Sequence, residues 1–583
     1  MAARRWPAGK VRRVPTGRGR AAWLRAGSRG LVLLLTCAAL GVSTAQAGSS
    51  AERGEAIYRQ GILSSGKPLV GVRGGGLRLT GKTVACVSCH QRSGLGSTEG
   101  QTIVPPITLR YLFFDPQHPT QQDLDLPYVE GIRIERQPYT RKTLARAIRQ
   151  GIGADGKPLD YMMPHYDLND ADMAALIHYL GRLDEHNHRG VTHTVLHFAT
   201  IITPDADPVE RKGMLDVMHR FFADKDMAPV GATPRLRSSR KFKFWVNPRW
   251  KLHVWQLHGP AKTWKAQLEQ DLKREPVFAV VSGLGGGNWA PVHQFCEEQK
   301  LPCLFPNVAA PPPGADHDFY SLYYTRGVGL EADLIAQRLR KLRHATPGRH
   351  RTMVVRQIYR AGRGGGLGAR ELTAALRGQD FKVETRRLAR GKSGKGVRAA
   401  VRSAAHADVL VLWLRPADIS ALGKTPPKGP AIYLSGLLGG LEQAPLPAAW
   451  RKRAHLSYPV GLPAQRRIAV DFALGWFRIR HIPLVAERVQ ADTYLTCSIL
   501  GTTLHQMVDT FVPDYFIERI EAMLDDRIIT GYYPHLTLAT DQRFASKGGY
   551  IVHLDDKHPT APVAEGGWTI PQPAMLGSGL AVR

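Results

Sequence analysis

The spacing of apolar positions changes along the chain. A short, mainly apolar run over 31–42 comes first. Further on, residues 51–60 and 169–183 have apolar positions three and four apart, which is typical of helices with one buried face. From residue 192 onward, short apolar runs alternate with helical stretches, which predicts parallel β-sheets covered by helices. This last part extends to 560, and its length favours two α/β lobes rather than one small sheet.

The same pattern places individual strands and helices within 192–560. Strands are expected at 194–202, 251–256, 277–281, 303–305, 352–359, 382–384, 409–414 and 431–434. Helices are expected at 208–223, 262–273, 291–298, 329–341, 369–377, 399–405, 466–478, 498–512 and 514–523. Asp207 before Pro208 supports the first helix start, because the carboxylate accepts backbone hydrogens and Pro suits the first turn.

The N-terminal residues predict export. Residues 1–29 hold nine Arg and Lys and no acid, and Ala45-Gln46-Ala47 follows the apolar run. A basic stretch, an apolar core and an A-x-A end are typical of a secretory signal, here 1–47, cleaved after Ala47. The apolar run is short for a membrane span, which needs about 20 residues. We therefore expect a periplasmic protein with no stable membrane span after signal cleavage.

The net charge narrows the choice of partners. The chain carries a formal charge of +30, which favours acidic partners or anionic surfaces. Nucleic acid would fit the charge, but an exported chain does not meet it, so we expect no nucleic-acid partner. A hydrophobic content of 43% is ordinary for globular protein, so most of the chain can bury cores.

The sequence Cys86-Val87-Ser88-Cys89-His90 carries the strongest chemical signal. C-x-x-C-H is the attachment pattern of c-type haem. Two thiols three positions apart lie on one side of a helical turn, where they reach both vinyl groups of one porphyrin. A redox C-x-x-C and half of a zinc site are the alternatives, but no second close Cys pair completes a zinc site. We expect one covalent haem c, attached at Cys86 and Cys89, with His90 as iron ligand.

A six-coordinate haem also needs a ligand on the opposite side of the iron. Met163, followed by Pro164, precedes the helix over 169–183 and is our first choice. A thioether sulfur stabilises ferrous iron and raises the reduction potential. Met162 is the second candidate and His165 the third.

Several positions of 48–187 resemble a class I mono-haem cytochrome c. Gly54 and Tyr58 match the family's first helix, and Leu176 and Tyr179 match its last helix. Pro105-Pro106 matches the loop that orients the haem His, and Met163-Pro164 matches the axial ligand. The resemblance implies a small all-α domain that transfers single electrons. The stretch 111–138 departs from it and is expected to be an insertion.

Residues 192–560 resemble a type I periplasmic solute-binding protein, of the kind that serves branched-chain amino-acid ABC transporters. The matching stretches are 278–283, 300–303, 319–340, 352–383, 407–414 and 469–523. The resemblance implies a two-lobed α/β domain with a small-molecule ligand between the lobes. Residues 561–583 are expected to form an irregular tail.

The expected ligand loop departs from that family. Where family members offer Ser and Thr, this chain has glycines over 283–287, then Asn288 and Trp289. Backbone N–H groups at a helix start could hold an anion there. A turn that needs Gly for backbone reasons is the favoured alternative.

Other motifs receive structural interpretations. Residues 364–369 match G-x-G-x-x-A, but they do not follow a strand directly, so a βαβ turn is favoured over a dinucleotide site. Cys296 and Cys303 could form a disulfide in an oxidising compartment or stay as thiols, and Cys497 is expected in a core. The basic and aromatic stretch 240–251 could dock an acidic partner, although a strand edge is favoured.

These observations lead to one main functional hypothesis. We expect a periplasmic electron carrier that meets a redox partner protein, a dehydrogenase or a terminal acceptor, with the larger domain docking the partner or sensing a ligand. The alternative is an ABC-transporter-type solute receptor whose haem reports redox state. An enzyme is not expected, because a di-haem peroxidase needs a second C-x-x-C-H and a Met ligand blocks substrate access.

Overall fold

The computed structural model describes residues 49–571, except 100–101, 116–135, 184–188, 193, 227–230, 238–239, 247, 346–351, 363, 392–393, 508–509, 526–530 and 555–560. The expected signal peptide over 1–47 and most of the expected insertion lie outside the described residues. No helix within the described ranges is long and apolar enough to cross a membrane.

The first region is built around two crossing helices. Gly54 of the first helix packs on the last, where a Cβ would lie 2.2 Å from the carbonyl oxygen of Ala175. Its elements are α1 Ser50–Glu55 with a π-helical turn Ala56–Gln60, β1 Val70–Val72, β2 Arg78–Thr80, α2 Val87–His90, β3 Ser97–Glu99, β4 Thr102–Val104, α3 Leu109–Leu112, α4 Arg141–Gln150, β5 His165–Tyr166 and α5 Asp170–Arg182.

The expectation of an all-α region is corrected in one respect. Strands β2, β1 and β5 form a small antiparallel sheet, and β3 pairs with β4. The strands are two or three residues long, so an apolar period of two cannot show in the sequence. The helices still supply most of the buried core, which includes Ile57, Tyr58, Leu176 and Leu180.

The second region begins with a lobe whose main sheet has the strand order β13-β11-β6-β10-β12-β14-β20, with β9 paired to β6. All of these pairings are parallel. The elements before the chain leaves this lobe are β6 Val195–Ile202, α6 Pro208–Asp226, β7 Gly231–Arg237, β8 Arg240–Val246, β9 Arg249–Gln256, α7 Trp264–Arg274, β10 Ala279–Val281, β11 Leu284–Gly285, α8 Ala290–Glu298, β12 Cys303–Leu304, β13 Asn307–Val308 and β14 Ser321–Thr325.

The second lobe has the strand order β16-β15-β17-β18-β19-β21-β22, in which β21 runs antiparallel to both of its neighbours, β19 and β22. Its elements are α9 Val328–His344, β15 Met353–Arg360, α10 Gly365–Ala375, β16 Phe381–Leu388, α11 Val397–Arg402, β17 Val409–Trp413, α12 Pro416–Ile419, β18 Ala431–Ser435, α13 Gly436–Gly439, α14 Ala448–Arg451 and β19 Ala454–Tyr458.

The chain then returns to the first lobe before it finishes in the second. The remaining elements are α15 Pro463–Ile479, α16 Glu487–Met507, α17 Pro513–Leu524, β20 Phe544–Ser546, β21 Tyr550–Leu554 and β22 Pro562–Ala564. The backbone therefore crosses between lobes after β14, β19 and β20, as in the expected two-lobed α/β architecture. Strand β22 lies inside the segment that was expected to be an irregular tail.

Candidate functional site

The C-x-x-C-H motif forms a single helical turn. Cys86 precedes α2, and His90 ends it because Gln91 adopts a positive φ of 62°. The hydroxyl of Tyr58 donates to the carbonyl oxygen of Gln91 at 2.7 Å, which holds the chain just after the turn. Neither motif cysteine forms a disulfide with another residue that the structure describes. Burial raises the pKa of the Cys86 thiol to about 12.

His90 is held in one orientation by the following loop. Its ring is buried, and Nδ1 donates to the carbonyl oxygen of Pro105 at 2.9 Å, since a carbonyl can only accept. Burial lowers the pKa of His90 to about 4, although the Pro105 contact opposes this shift. The ring is therefore neutral at ordinary pH, with Nε2 left as the nitrogen that can bind a metal.

A cavity of about 210 Å³ opens beside the motif. Most of its wall is apolar, which suits a large flat hydrophobic group. The lining residues that matter for chemistry are Arg73, Cys86, Cys89, His90, Met162 and Met163.

The two methionines of the wall differ in their surroundings. Met163 packs against the core of the first region, and its backbone N–H donates to the carbonyl oxygen of Asp160 at 2.9 Å. Met162 also lines the cavity, and its N–H donates to the Asp160 carboxylate at 2.8 Å. His165, the third candidate, is exposed and is not part of the wall. The geometry therefore brings Met163 and Met162, but not His165, to the cavity that holds His90.

The wall also carries an unsatisfied donor. The buried Nε of Arg73 has no hydrogen-bond partner among the described residues, while the same guanidinium lies 3.8 Å from the Cys89 sulfur. A buried donor without an acceptor is costly in a folded protein. The carboxylates of haem are acceptors of the kind that this position lacks. Two thiols at the C-x-x-C-H spacing, a neutral imidazole and an apolar cavity thus fit a covalently attached haem.

The glycine loop between the lobes is packed rather than open. The N–H of Gly286 donates to Thr203 and to Asp205, each at 3.3 Å. The guanidinium of Arg415, in the second lobe, donates to the Gly286 carbonyl at 2.5 Å. A Cβ on Gly287 would lie 3.0 Å from the carbonyl oxygen of Gly362, also in the second lobe. The structure favours the turn interpretation, because these glycines permit close lobe contact and the Gly286 N–H is already used.

Polar side chains at the ends of the first-lobe strands bind each other. The amide of Asn307 donates to Ser282 at 3.0 Å and to Thr493 at 3.3 Å. The space beside them, next to Asp492 and Arg488, is only about 20 Å³, which suits one water molecule. Burial raises the pKa of Asp492 to about 6, while Arg488 opposes that shift.

The remaining sequence motifs are structural. Gly365 and Gly368 of the G-x-G-x-x-A match pack on Trp413, which leaves no room for a Cβ. Cys296 and Cys303 are fully buried free thiols, and Cys497 is in the core as expected.

The basic and aromatic stretch is split between core and surface. Trp250 is buried against Phe198 and Phe222, so it cannot dock a partner, whereas Arg249 and Lys251 are exposed on the edge strand β9. The side chains of 240–246 lie outside the described residues. An apolar residue that alternates with charges in a strand points to the core, which is why Trp250 is buried between two exposed basic residues.

The loop after the motif contacts the first lobe, at a junction that sequence analysis did not foresee. The N–H and hydroxyl of Ser93 donate to the Glu518 carboxylate at 2.9 and 2.6 Å. The guanidinium of Arg92 lies 4.0 Å from the ring centre of Phe319. Burial raises the pKa of Glu518 to about 8. No local motif marks such a residue, because its partner lies 425 positions away.

Two comparisons with known proteins found similarities. Residues 79–184 match the family model described as Cytochrome c. This part of the chain is therefore similar to cytochrome c, a family that carries covalently bound haem c and transfers electrons. No curated protein matches the chain in sequence.

Among solved structures, the chain is similar to substrate-binding proteins. A fatty acid ABC transporter substrate-binding protein from Thermomonospora curvata is 14% identical, with 65% of this chain and 94% of that chain covered and a TM-score of 0.47. A branched-chain amino acid ABC transporter from Thermus thermophilus with bound valine is 9% identical, with 65% and 97% covered and a TM-score of 0.47. A possible leucine/isoleucine/valine-binding protein from Rhodopirellula baltica is 14% identical, with 64% and 97% covered and a TM-score of 0.46.

Proposed function

We propose that the chain is a periplasmic electron carrier with one haem c, attached at Cys86 and Cys89 and bound at the iron by His90 and Met163. The observation that carries this proposal is the single cavity that brings these four residues together. When bound, haem c supplies a one-electron ferric–ferrous couple.

The chain's own residues set the conditions for that couple. Pro105 fixes the tautomer of His90, and burial keeps the ring neutral, so Nε2 is available as a ligand. A thioether from Met163 favours the reduced state. The apolar wall excludes water, which also favours the less charged ferrous centre. Arg73 offers a charged donor to a carboxylate at the cavity wall.

The larger domain is proposed to dock a redox partner. Its cleft is held closed by Arg415 and by glycine-to-glycine contact, and the first-lobe polar groups are paired with each other. The space that the structure describes beside those polar groups is about 20 Å³, which is smaller than an amino acid, so a docking role is proposed ahead of transport of a solute. The basic chain is expected to meet an acidic partner protein, a dehydrogenase or a terminal acceptor.

The alternative is a solute receptor in which the haem reports redox state. The two-lobed architecture with three crossings supports it, because such lobes can open on a hinge. That function requires the contact between Arg415 and Gly286 to break when a ligand enters.

Carbon monoxide tests the proposed ligand set. In the reduced, haem-loaded wild type, a bound sulfur should block CO for minutes, so the optical spectrum should stay unchanged. Met163→Ala should bind CO at once. Met162→Ala is the matched control, because Met162 lines the same cavity, and it should behave as the wild type. Immediate CO binding by the wild type would contradict the proposal, and immediate binding by the Met162 variant alone would make Met162 the ligand.

A further inference from the structure

Helix α15 has two faces with apolar side chains, and one of them is buried against other residues that the structure describes. Its inner face buries Arg466, Val470, Ala473 and Phe477 against the rest of the fold. The opposite face exposes Ile468 by 71%, Phe472 by 61% and Ile479 by 71%. Monomeric proteins rarely leave several large apolar side chains together in water.

The exposed face has the spacing of a helix-pairing seam. Ile468, Phe472, Gly475 and Ile479 are spaced by four, three and four residues, which is the repeat of helices that pack side by side. Gly475 leaves an opening in this seam: a Cβ there would meet only the guanidinium of Arg478, at 3.9 Å. We name Ile468, Phe472, Gly475 and Ile479 the α15 seam.

The seam is complementary to itself when two copies run antiparallel. In a two-fold arrangement, Ile468 faces Ile479 of the other copy, and Phe472 faces the opening at Gly475. Each contact then occurs twice, as two-fold symmetry requires. A parallel arrangement would instead place the two Phe472 rings against each other and leave both openings empty.

The charges beside the seam favour the same arrangement. Asp471 and Arg478 are both exposed on one flank, and neither makes an ion pair with any residue that the structure describes. They occupy the flanking positions that meet each other across an antiparallel helix pair. The same two-fold axis that fits Phe472 to Gly475 therefore sets Asp471 of each copy beside Arg478 of the other.

We propose that a second copy of this chain binds at the α15 seam, so that the protein forms an antiparallel two-fold dimer. Leu484 and Val485, exposed by 51% and 40% just after α15, extend the apolar surface. Stable interfaces bury about 1,200 Å² or more in total, so a seam of this size predicts a reversible dimer rather than a permanent one.

Sedimentation of the mature, haem-loaded protein between about 1 and 100 µM tests the dimer. The mass should double as concentration rises. Phe472→Ser should remove this rise, whereas Ile570→Ser, which changes an equally exposed residue outside the seam, should not. A wild-type mass that stays monomeric over the whole range would overturn the proposal.

Charge reversal tests the antiparallel pairing itself. Asp471→Arg and Arg478→Asp should each weaken association at least about tenfold, because each places like charges together twice. The double variant should recover the wild-type dissociation constant, since the pairs are restored with their signs exchanged. A double variant that stays as weak as the single ones would contradict the pairing. Unchanged melting temperatures of all the variants would show that folding is retained.

Discussion

The two concave sites of this molecule have opposite characters. The cavity beside the C-x-x-C-H motif is about 210 Å³ and mostly apolar, and its wall includes two thiols and a neutral imidazole. The cleft between the lobes has only about 20 Å³ beside its polar groups, which are bonded to one another. In the cavity, Nε2 of His90 is left as a possible metal ligand, whereas in the cleft the polar groups are bonded to one another.

The largest expected effect concerns the thiols of the cavity. Cys89→Ala should remove one of the two bonds that attach the haem. Because the attachment pattern requires both thiols, the amount of covalent haem on a denaturing gel should fall by roughly an order of magnitude. Cys497→Ala is the matched control, because Cys497 is a buried core thiol on α16, outside the motif. Equal haem staining of both variants would remove the distinction between the two kinds of cysteine.

The next effect concerns the close contact in the cleft. Gly286→Ala should lower the free energy of unfolding by about 2–3 kcal/mol, because the new Cβ would lie 2.3 Å from the backbone oxygen of Asp205. Denaturant titration measures the change. Gly567→Ala, where the added carbon meets nothing within 4 Å, should stay within about 0.5 kcal/mol of the wild type. Similar changes in the free energy of unfolding for Gly286→Ala and Gly567→Ala would mean that the loop at Gly286 can move to accommodate the added carbon.

These two sites also show what sequence can and cannot predict. The haem motif is local, so Cys86, Cys89 and His90 stand out without any knowledge of the fold. The helix α16 was expected at 498–512 but begins at Glu487, because buried polar residues such as Asp492 and Thr493 interrupt the apolar period. Strands β14 and β19 were not foreseen as separate strands, since every residue of β14 is buried and no alternation shows.

Contacts between distant segments could not be predicted at all. Arg415 meets Gly286 across 129 positions, and Glu518 meets Ser93 across 425. Each is a common residue in an ordinary helix or loop, and only the folded chain gives it a partner. The pairing of the lobes and the contact between domains therefore had to come from the structure.

The third prediction concerns pH and the contact between Ser93 and Glu518. Burial raises the pKa of Glu518 to about 8, from 4.5. Between these values the folded chain keeps the proton that the unfolded chain releases, so stability falls as pH rises from about 5 to 8. Glu518→Gln cannot ionise and can keep both bonds to Ser93.

Unfolding of both proteins at pH 5 and pH 8 measures this effect. The wild type should lose roughly 2–4 kcal/mol relative to the Gln variant over that interval. Glu52→Gln, at an exposed glutamate of α1, is the control and should show no such difference. A constant difference between wild type and Glu518→Gln across the interval would show that Glu518 is ionised in the folded protein throughout.

The smallest expected effect is on ligand binding in the cleft. Valine or leucine at about 1 mM should leave the melting temperature of the wild type unchanged, because a ligand must bind the folded state to stabilise it. Arg415→Ala removes the contact between Arg415 and Gly286. If the closed cleft prevents binding, valine or leucine should raise the melting temperature of this variant. A clear upward shift in the wild type would favour the receptor function over docking.

The most direct test of the central claim is a haem count by pyridine haemochrome on the mature protein, made in a host that matures c-type cytochromes, together with an optical spectrum. We predict one covalent haem per chain and a low-spin, six-coordinate spectrum in both oxidation states. A colourless protein with both thiols of the C-x-x-C-H motif free would contradict the claim.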